Sequence, residues 1–564
     1  MKWTLKLLLS VAASSFLVAA EVCQVMAQQS VLVQSAAHPV GTQPSPVVLS
    51  LGDAGGVSSQ HPVQEPTEPL QSAALSDLTT VATVEGTQPA SGPSQEGTVA
   101  SPMVATIAAS SAHAEEQLAA MRGAYKGVFY QNDFGYLLSP DYSGPMYPGD
   151  RFKQRLDGRW DMGGEWRTRY HDEHNIRGFG LTGVDDSFWL SRLRMFASLQ
   201  MTQRLRFYGE YLYADSGGET FGPGAGQRPI EENRGEAQNL FLDVTLLDNG
   251  CSTVSGRFGR QELMLGAQRL VSPLDWANSR RTFDGYRLTL SRDTTALDVF
   301  YTNPVQRSFA TGGFNEWDSS NNDQHFFGTY WSGQREGGGP LEAYYLAFLD
   351  DVQDFSFHTL GSRVAGKGDF LSYEWEGGYQ FGRNSDGSNH SSAFMTAGLG
   401  RQMDLCLLGT PWRPSLWAWY DWAGGGDSSL IGAGDDSFHH YFPLAHKYNG
   451  FMDLFGRRNL HDINFQFTAP VTKKLDFLVW YHVFFLDQAT TPYSVTMSPF
   501  NTGNPAVSRD LGQEIDFVAT YNVNDRNSVQ LGYSFFNSGA YYNTPGSPTS
   551  ANADFMYFQY QVRF

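Results

Sequence analysis

Apolar and charged side chains alternate with a period of two along the sixteen residues from Arg155 to Tyr170. The even positions carry mainly aromatic and aliphatic residues, whereas the odd positions carry mainly Arg, Asp and Glu. Because successive side chains of a strand point to opposite faces, this pattern predicts a β-strand with one dry face and one wet face. Strands of soluble sandwiches are typically about five or six residues long. The length here is typical of a tilted membrane-spanning strand with an extension outside the bilayer.

The same alternation recurs through the rest of the chain. Segments around Met195 and Phe207 are joined by Thr202-Gln203-Arg204, which predicts a hairpin. A second hairpin is predicted at Asp248-Asn249-Gly250, because Asn-Gly readily adopts the positive φ angles of a type I′ turn. Further strands are centred on Leu242, Phe258, Leu288, Val299, Thr329, Leu346, Leu360, Trp375, Ala397, Trp419, Phe465, Val479, Phe517 and Leu531.

Long polar segments separate alternate pairs of these strands. They are Ser216–Gly235, Ala310–Asp323, Gly424–Asp436 and Thr490–Asp510. Short turns at one end and long loops at the other are typical of outer-membrane barrels. The sequence therefore predicts an all-β fold, a single large antiparallel transmembrane β-barrel of about 18 strands. A barrel of that size encloses a water-filled lumen.

The C-terminal strand carries an additional pattern. Apolar Phe558, Tyr560, Val562 and Phe564 alternate with polar residues and end the chain. Such an ending resembles the signal that the barrel-assembly machinery reads, so we expect this machinery and outer-membrane lipid as partners. The alternative is an ordinary terminal strand that ends in Phe.

The N-terminal residues differ in composition from the barrel. Residues 1–27 have the pattern of a cleavable signal peptide, with Lys2 and Lys6 before an apolar stretch and Val25-Met26-Ala27 as the cleavage site. The alternative is a short N-terminal anchor. With the barrel, a signal peptide predicts the outer membrane of a Gram-negative-type bacterium.

Residues 28–114 contain no Phe, Trp, Tyr, Lys or Arg and are rich in Pro, Ser, Thr and Gln. Such a segment buries too little apolar surface to offset the entropy of ordering, which predicts a disordered spacer. A cell-envelope partner for this spacer is an open alternative. The four predicted regions are the signal peptide, the spacer, a short segment over 115–154 and the barrel over 155–564.

The formal net charge of −19 excludes a nucleic-acid partner, because phosphate binding requires a basic surface. No Gly-x-Ser-x-Gly, Walker, GxGxxG or His-Glu-x-x-His motif is present, so no catalytic residue, metal or cofactor is predicted. His439, His440 and His446 are interpreted as loop residues in preference to metal ligands. Cys251 and Cys406 remain after export, and the sequence leaves their pairing open.

Several ordered motifs resemble the alginate-export family of outer-membrane porins. The first is GRQELMLGAQRLVSPLDWANSRRTFDGYRL at Gly259–Leu288. The second lies between Tyr420 and Asp462 and includes Gly426-Asp427 and Asn459-Leu460. Shorter matches are Gly512–Asp516 and the strand Gly163–Tyr170. The resemblance covers roughly residues 155–564. It implies an outer-membrane channel, which in similar members passes a polyuronate through an arginine-lined constriction. Residues 124–134, together with the spacer, depart from the family pattern, and the segment over 115–154 is interpreted as a plug, a periplasmic element or a partner site.

Arginines on the polar phase of the strands, or in the first motif, are the candidates for an anion path. They are Arg167, Arg169, Arg192, Arg194, Arg206, Arg260, Arg269, Arg280, Arg281, Arg287 and Arg363. Arg stays charged at any relevant pH and binds carboxylates through two nitrogens. Candidate lumen carboxylates are Glu165, Asp275, Asp284, Glu514 and Asp516. The alternative is that these arginines pair with lumen carboxylates and stiffen the wall.

The sequence thus predicts an outer-membrane channel for passive passage of anionic or sugar-like solutes. Two alternatives remain open at this point. One is a general diffusion porin, and the other is a structural barrel that tethers the outer membrane to another envelope layer.

Overall fold

A computed structural model describes residues 115–178, 180–220, 228–307, 317–335, 338–407, 410–426, 435–500, 508–543 and 552–564. The predicted signal peptide and disordered spacer lie outside the described residues. Within these ranges, no helix is long and apolar enough to cross a membrane.

Eighteen strands form one sheet, and two further short strands form a separate hairpin. The strands of the sheet are β1 (Trp160–His174), β2 (Asp186–Thr202), β3 (Leu205–Gly217), β4 (Asn233–Asp248), β5 (Ser252–Gln261), β6 (Phe283–Arg292), β7 (Thr295–Pro304), β8 (Gln324–Gln334), β9 (Pro340–Asp350), β10 (Phe355–Lys367), β11 (Ser372–Arg383), β12 (Asn389–Gln402), β15 (Ser415–Ala423), β16 (Leu460–Pro470), β17 (Leu475–Leu486), β18 (Asp510–Asn524), β19 (Asn527–Ser538) and β20 (Ala553–Arg563). The separate hairpin consists of β13 (Leu405–Leu407) and β14 (Thr410–Trp412).

The sheet closes on itself because β1 pairs antiparallel with both β2 and β20. Trp166 lies opposite Leu193 on one side and opposite Val562 on the other. Closure leaves no strand edge with unpaired backbone groups, as a bilayer requires. The predicted antiparallel barrel of about 18 strands is confirmed.

The two faces of β1 have different surroundings, as the alternation predicts. Trp166 is 39% exposed on the outer face, whereas its neighbour Arg167 is 1% exposed and points into the barrel. The strand begins at Trp160, later than the alternation, because Leu156 and Asp157 adopt left-handed φ angles of 54° and 56°. The Asp161 carboxylate accepts a hydrogen bond from the Gln154 backbone N–H at 2.7 Å and so stabilises the preceding turn.

The strand connections are short at one end of the barrel and long at the other. At the short-turn end, only residues 203–204 join β2 to β3, and only residues 525–526 join β18 to β19. At the long-loop end, residues 262–282 join β5 to β6, and residues 424–459 join β15 to β16. Parts of the four predicted long segments lie outside the described residues.

Two of the long connections fold back into the barrel. We call residues 262–282 the inward loop, because its Leu263, Leu270 and Val271 are buried against the lumen-facing Phe283 and Phe326. A second buried stretch, within residues 435–459, packs Phe451 and Phe455 among residues of β17 to β20. The lumen is therefore largely occupied by protein at the level of these loops.

The outward phase of the strands can be tested with Trp166→Arg near the middle of β1. We expect it to lower the free energy of unfolding by about 2–4 kcal/mol, because the charge then faces the bilayer midplane. The matched control is Leu290→Arg, since Leu290 is 43% exposed and lies close to the end of β6. That change is expected to cost only about 0–1 kcal/mol near the interface. Denaturant titration in lipid vesicles measures both. A cost near zero for Trp166→Arg would contradict the assigned phase, and equal costs would contradict the place of Trp166 near the bilayer midplane.

Candidate lumen site

The inward loop is held by arginines of the opposite wall. Arg167 donates hydrogen bonds to the carbonyl oxygens of Asp275 and Trp276, each at 2.7 Å. Arg192 donates to the Asp275 carbonyl oxygen at 2.7 Å, and Arg169 donates to that of Trp276 at 3.1 Å. Charged N–H donors make strong hydrogen bonds, and these converge on consecutive carbonyl groups of one loop. They fix the loop across the lumen.

Five arginines form what we call the buried arginine cluster, and each is at most 1% exposed. Its members are Arg167, Arg169, Arg192, Arg194 and Arg280. Four carboxylates compensate charge within it. They are Glu165, Glu210, Glu262 and Asp275.

Two of these carboxylates lie on the barrel wall. Glu165 accepts from Arg192 at 2.8 Å and from Arg563 at 3.1 Å, so it connects β2 to the C-terminal strand. Glu210 accepts from Arg194 Nε at 2.7 Å. Arg280 of the inward loop pairs with both Glu262 and Asp275. The network therefore joins the wall to the loop at Asp275, which pairs with Arg192 and Arg280.

Trp276 at the tip of the inward loop is surrounded by cationic and aromatic groups. The Arg169 guanidinium carbon lies 2.9 Å from the centre of its ring. The ring of His446 stacks on it at 5.0 Å between ring centres, and that of His171 at 5.6 Å. Cation–π attraction and stacking stabilise this arrangement. Sequence reasoning did not single out Trp276, since only its place within the first family motif marks it.

A second set of arginines lies on the wall, away from the loop tip, and is partly exposed. Arg206 and Arg257 both bind Asp243, at 2.6 and 2.8 Å. Arg287 lies opposite Arg257 in the strand register and binds Asp298 at 2.6 Å. The side chains of these three arginines are 13–26% exposed. Charges of both signs thus line the wall from β3 to β7.

Arg260 and Arg363 extend this partly exposed set. Arg260 binds Asp284 at 2.8 Å and also pairs with Glu236, and its side chain is 12% exposed. Arg363 binds Glu374 at 2.9 Å and Glu342 at 3.1 Å, and its side chain is 13% exposed. We call Arg206, Arg257, Arg260, Arg287 and Arg363 the wall arginines.

The remaining candidate arginines belong to the inward loop and are buried. Arg269 binds Glu374 at 2.5 Å and Glu376 at 3.0 Å, which attaches the loop to β11. Arg281 donates to the Ser272 carbonyl oxygen at 3.2 Å within the loop. The structure thus separates the eleven candidates into seven buried side chains and four that are wall arginines.

The other candidate carboxylates lie elsewhere. Glu514 and Asp516 are buried on β18, where Glu514 accepts from the Met452 backbone N–H at 2.8 Å. His482 lies 2.9 Å from Asp462 and 3.8 Å from Asp516. The Glu514–Met452 hydrogen bond holds the second inward stretch against the wall, whereas the His482 pairs join β16, β17 and β18.

The candidate assembly residues Phe558, Tyr560 and Val562 lie on the outer face of β20, and Phe558 is 39% exposed. The backbone N–H of the terminal Phe564 donates to the Gly164 carbonyl oxygen at 2.9 Å, at the seam between β20 and β1. The terminal residues therefore take part in barrel closure.

The three loop histidines point to different partners. His439 Nδ1 accepts from the Tyr441 N–H, His440 Nδ1 accepts from the Arg457 N–H, and His446 Nδ1 lies 3.0 Å from Asp453. Burial lowers the pKa of His439 to about 3, and it holds that of His446 well below the usual range, with Arg169 acting in the same direction. Among the described residues, no group of three or more His, Cys, Asp or Glu side chains converges as a metal site. Cys251 and Cys406 are both free and exposed.

Glu165→Ala tests whether the buried arginine cluster is dry. We expect it to lower the free energy of unfolding by about 3–5 kcal/mol, because it removes a buried carboxylate from two arginines. Glu165→Gln is the matched control, since it retains an oxygen acceptor of the same shape and should cost less. Unfolding of both variants is followed by denaturant titration in vesicles. A loss below about 1 kcal/mol for the alanine variant, typical of exposed ion pairs, would contradict a dry cluster.

The profile of the alginate export family matches residues 159–555, which is more than two thirds of the chain. No curated protein sequence matches significantly.

Solved structures with a similar fold include three at low sequence identity. OccAB1 of Acinetobacter baumannii is 12% identical, with 73% of this chain and 98% of that chain covered and a TM-score of 0.47. OccD3 (OpdP) of Pseudomonas aeruginosa is 12% identical, with 72% and 91% covered and a TM-score of 0.46. A BenF-like porin of Pseudomonas fluorescens Pf-5 is 11% identical, with 73% and 99% covered and a TM-score of 0.48.

The family assignment rests on the sequence match, and it agrees with the closed barrel that the chain forms. The sequence resemblance to this family is thereby confirmed. The chain belongs to the alginate export family and is an outer-membrane channel for passive solute passage.

Proposed function

We propose that the channel selects anionic or sugar-like solutes and that the wall arginines line their path. The observation that carries this proposal is the difference in exposure between the two sets of arginines. The wall arginines have side chains that are 12–26% exposed, whereas the buried cluster is at most 1% exposed. A passing solute therefore meets the wall arginines.

The geometry of the wall pairs suits exchange with a solute carboxylate. Arg287 binds Asp298 through both Nε and Nη2, at 2.8 and 2.6 Å, and Arg260 binds Asp284 in the same way. A uronate carboxylate has the same two-oxygen geometry. Because partly hydrated ion pairs contribute little stability, a solute carboxylate can replace the protein carboxylate at small cost.

The buried cluster has a different role in this proposal. Its arginines hold the carbonyl groups of Asp275 and Trp276 and thereby fix how far the inward loop narrows the lumen. They are positioning residues that set the width of the path. Of the eleven candidate arginines, we therefore assign the solute path to Arg206, Arg260, Arg287 and Arg363, and we add Arg257.

One observation favours the second candidate, a general diffusion porin. Every wall arginine has a carboxylate partner, so the wall also presents negative charge. The tethering alternative depends on residues 28–114, which lie outside the described residues.

Ion selectivity separates these two candidates. In a planar bilayer with a KCl gradient, we expect a reversal potential with the same sign as the chloride equilibrium potential. A reversal potential near zero supports general diffusion. A reversal potential with the sign of the potassium equilibrium potential contradicts an anion path.

Arg287→Gln tests the wall arginines directly. We expect it to lower the chloride-to-potassium permeability ratio by about twofold, which corresponds to ~0.4 kcal/mol for a partly hydrated charge. Adding Asp298→Asn should restore part of the ratio, because it removes the carboxylate left behind. The matched control is Arg292→Gln, whose side chain is 71% exposed at the end of β6. An equal change in the control would contradict the assignment.

A further inference from the structure

We propose that residues 115–152, the plug segment, form an autoinhibitory plug at the short-turn end of the barrel. Solute passage requires this segment to move, and an anionic solute promotes that movement by competing for the arginines that hold it. The proposal rests on the channel function and adds a closed state to it.

The plug segment lies against the lumen face of the wall. The Phe129 ring packs on Phe196 of β2, with 5.6 Å between ring centres. The Tyr130 ring packs on Tyr208 of β3 and Phe241 of β4, at 6.1 and 5.5 Å. Phe196 follows Arg192 and Arg194 on the same face of β2, which is the face that points inward. These aromatic contacts therefore lie inside the barrel.

The same segment is anchored at the short-turn end. The Tyr125 hydroxyl donates to the Phe564 carbonyl oxygen at 2.6 Å. Arg526, in the turn between β18 and β19, donates to the Met121 carbonyl oxygen at 3.1 Å and to the Tyr136 hydroxyl at 2.8 Å. Contacts of the plug segment thus extend from β18 through the seam to β4.

The plug segment also reaches the inward loop. The Tyr130 hydroxyl donates to the Glu262 carbonyl oxygen at 3.0 Å. Arg280 donates to the Gly127 carbonyl oxygen at 3.1 Å. The segment therefore fills space between the wall and the loop that crosses the lumen. Phe129 and Tyr130 are both buried there.

Guanidinium groups of the lumen contact neutral groups of the plug segment, which are a carbonyl oxygen and two aromatic rings. Arg206 donates to the Tyr130 carbonyl oxygen at 3.0 Å. The guanidinium carbon of Arg194 lies 3.8 Å from the Phe129 ring centre, and that of Arg257 lies 4.0 Å from the Tyr130 ring centre. Two of these three, Arg206 and Arg257, are wall arginines.

A carboxylate binds a guanidinium group more strongly than a carbonyl oxygen or a ring face does. An anionic solute that reaches Arg206 or Arg257 therefore competes with the plug segment for the same donors. A ligand shifts a closed–open equilibrium only by its different affinity for the two states. Here the difference arises because the plug segment covers these donors only in the closed state.

The first experiment compares single-channel currents of four proteins in planar bilayers. They are the full chain, a variant that lacks residues 115–152, the double variant Phe129→Ala/Tyr130→Ala, and the double variant Leu138→Ala/Met146→Ala. The last pair is the matched control, because Leu138 and Met146 belong to the same segment but are 55% and 61% exposed.

We expect the deletion and the Phe129/Tyr130 variant to raise the open probability by about tenfold, as expected if the open state is a minor state of the full chain. The control pair should match the full chain. Equal open probabilities in all four proteins would overturn the plug. The absence of current in all four proteins, the deletion included, would instead contradict the channel function.

A disulfide lock provides a second test that leaves the segment intact. Gly127 lies against Met264 of the inward loop, where a Cβ atom on Gly127 would be 3.1 Å from the Met264 sulfur. Gly127→Cys with Met264→Cys is made together with Cys251→Ser and Cys406→Ser, which removes the exposed native thiols.

Oxidation should form the disulfide, shown by intact mass, and should keep the channel closed even with an oligouronate present. Reduction should restore opening to the level of the Cys251→Ser/Cys406→Ser protein. Failure of the two thiols to join, either directly or through a short bis-maleimide crosslinker, would contradict the position of the plug segment. An oxidised channel that conducts like the reduced one would contradict its role as a plug.

Discussion

The hydrogen bonds from arginines of the buried cluster, on β1 and β2, to the carbonyl groups of the inward loop are the interaction on which the lumen depends. Arg167, Arg169 and Arg192 carry fixed positive charge, and their acceptors are consecutive carbonyl groups near Trp276. Burying guanidinium groups is costly unless their donors are satisfied and their charge is compensated. The loop supplies the carbonyl groups, Asp275 and Glu262, and Glu165 and Glu210 supply the other charges. Loop position and arginine burial therefore require each other.

The lumen therefore has two regions that differ in the exposure of their arginines. Near the loop tip, the arginines are buried and bind carbonyl and carboxylate groups of the protein. Along β3 to β7 and at β10, their side chains are partly exposed, and we propose that they are available to a solute. The plug segment connects the two regions, because it contacts Arg280 and Arg194 of the buried cluster as well as Arg206 and Arg257 of the wall. A solute that competes for the wall arginines thus acts on the segment that also contacts the dry cluster.

The barrel was predictable from sequence because strand alternation is a local property. Trp166 and Arg167 differ by one position, and that spacing alone assigns them to opposite faces. The different roles of Arg192 and Arg287 were not predictable, since both fall on the polar phase of a strand. Arg192 is dry because residue 275, far away in sequence, folds over it, and no local pattern encodes that contact. The same reason explains why Trp276 was missed. The start of β1 was placed too early, because the alternation continues through a turn whose left-handed φ angles the pattern does not reveal.

We propose that the partly exposed wall arginines give this channel a binding path for anions. The interruption of chloride current in channels that lack the plug segment tests this binding path. We predict that an oligouronate interrupts the current at concentrations at which a neutral oligosaccharide of the same length does not. The interruptions should shorten as salt rises, because partly exposed charges are screened. Equal interruption by both oligosaccharides, or interruption that does not depend on salt, would contradict the account.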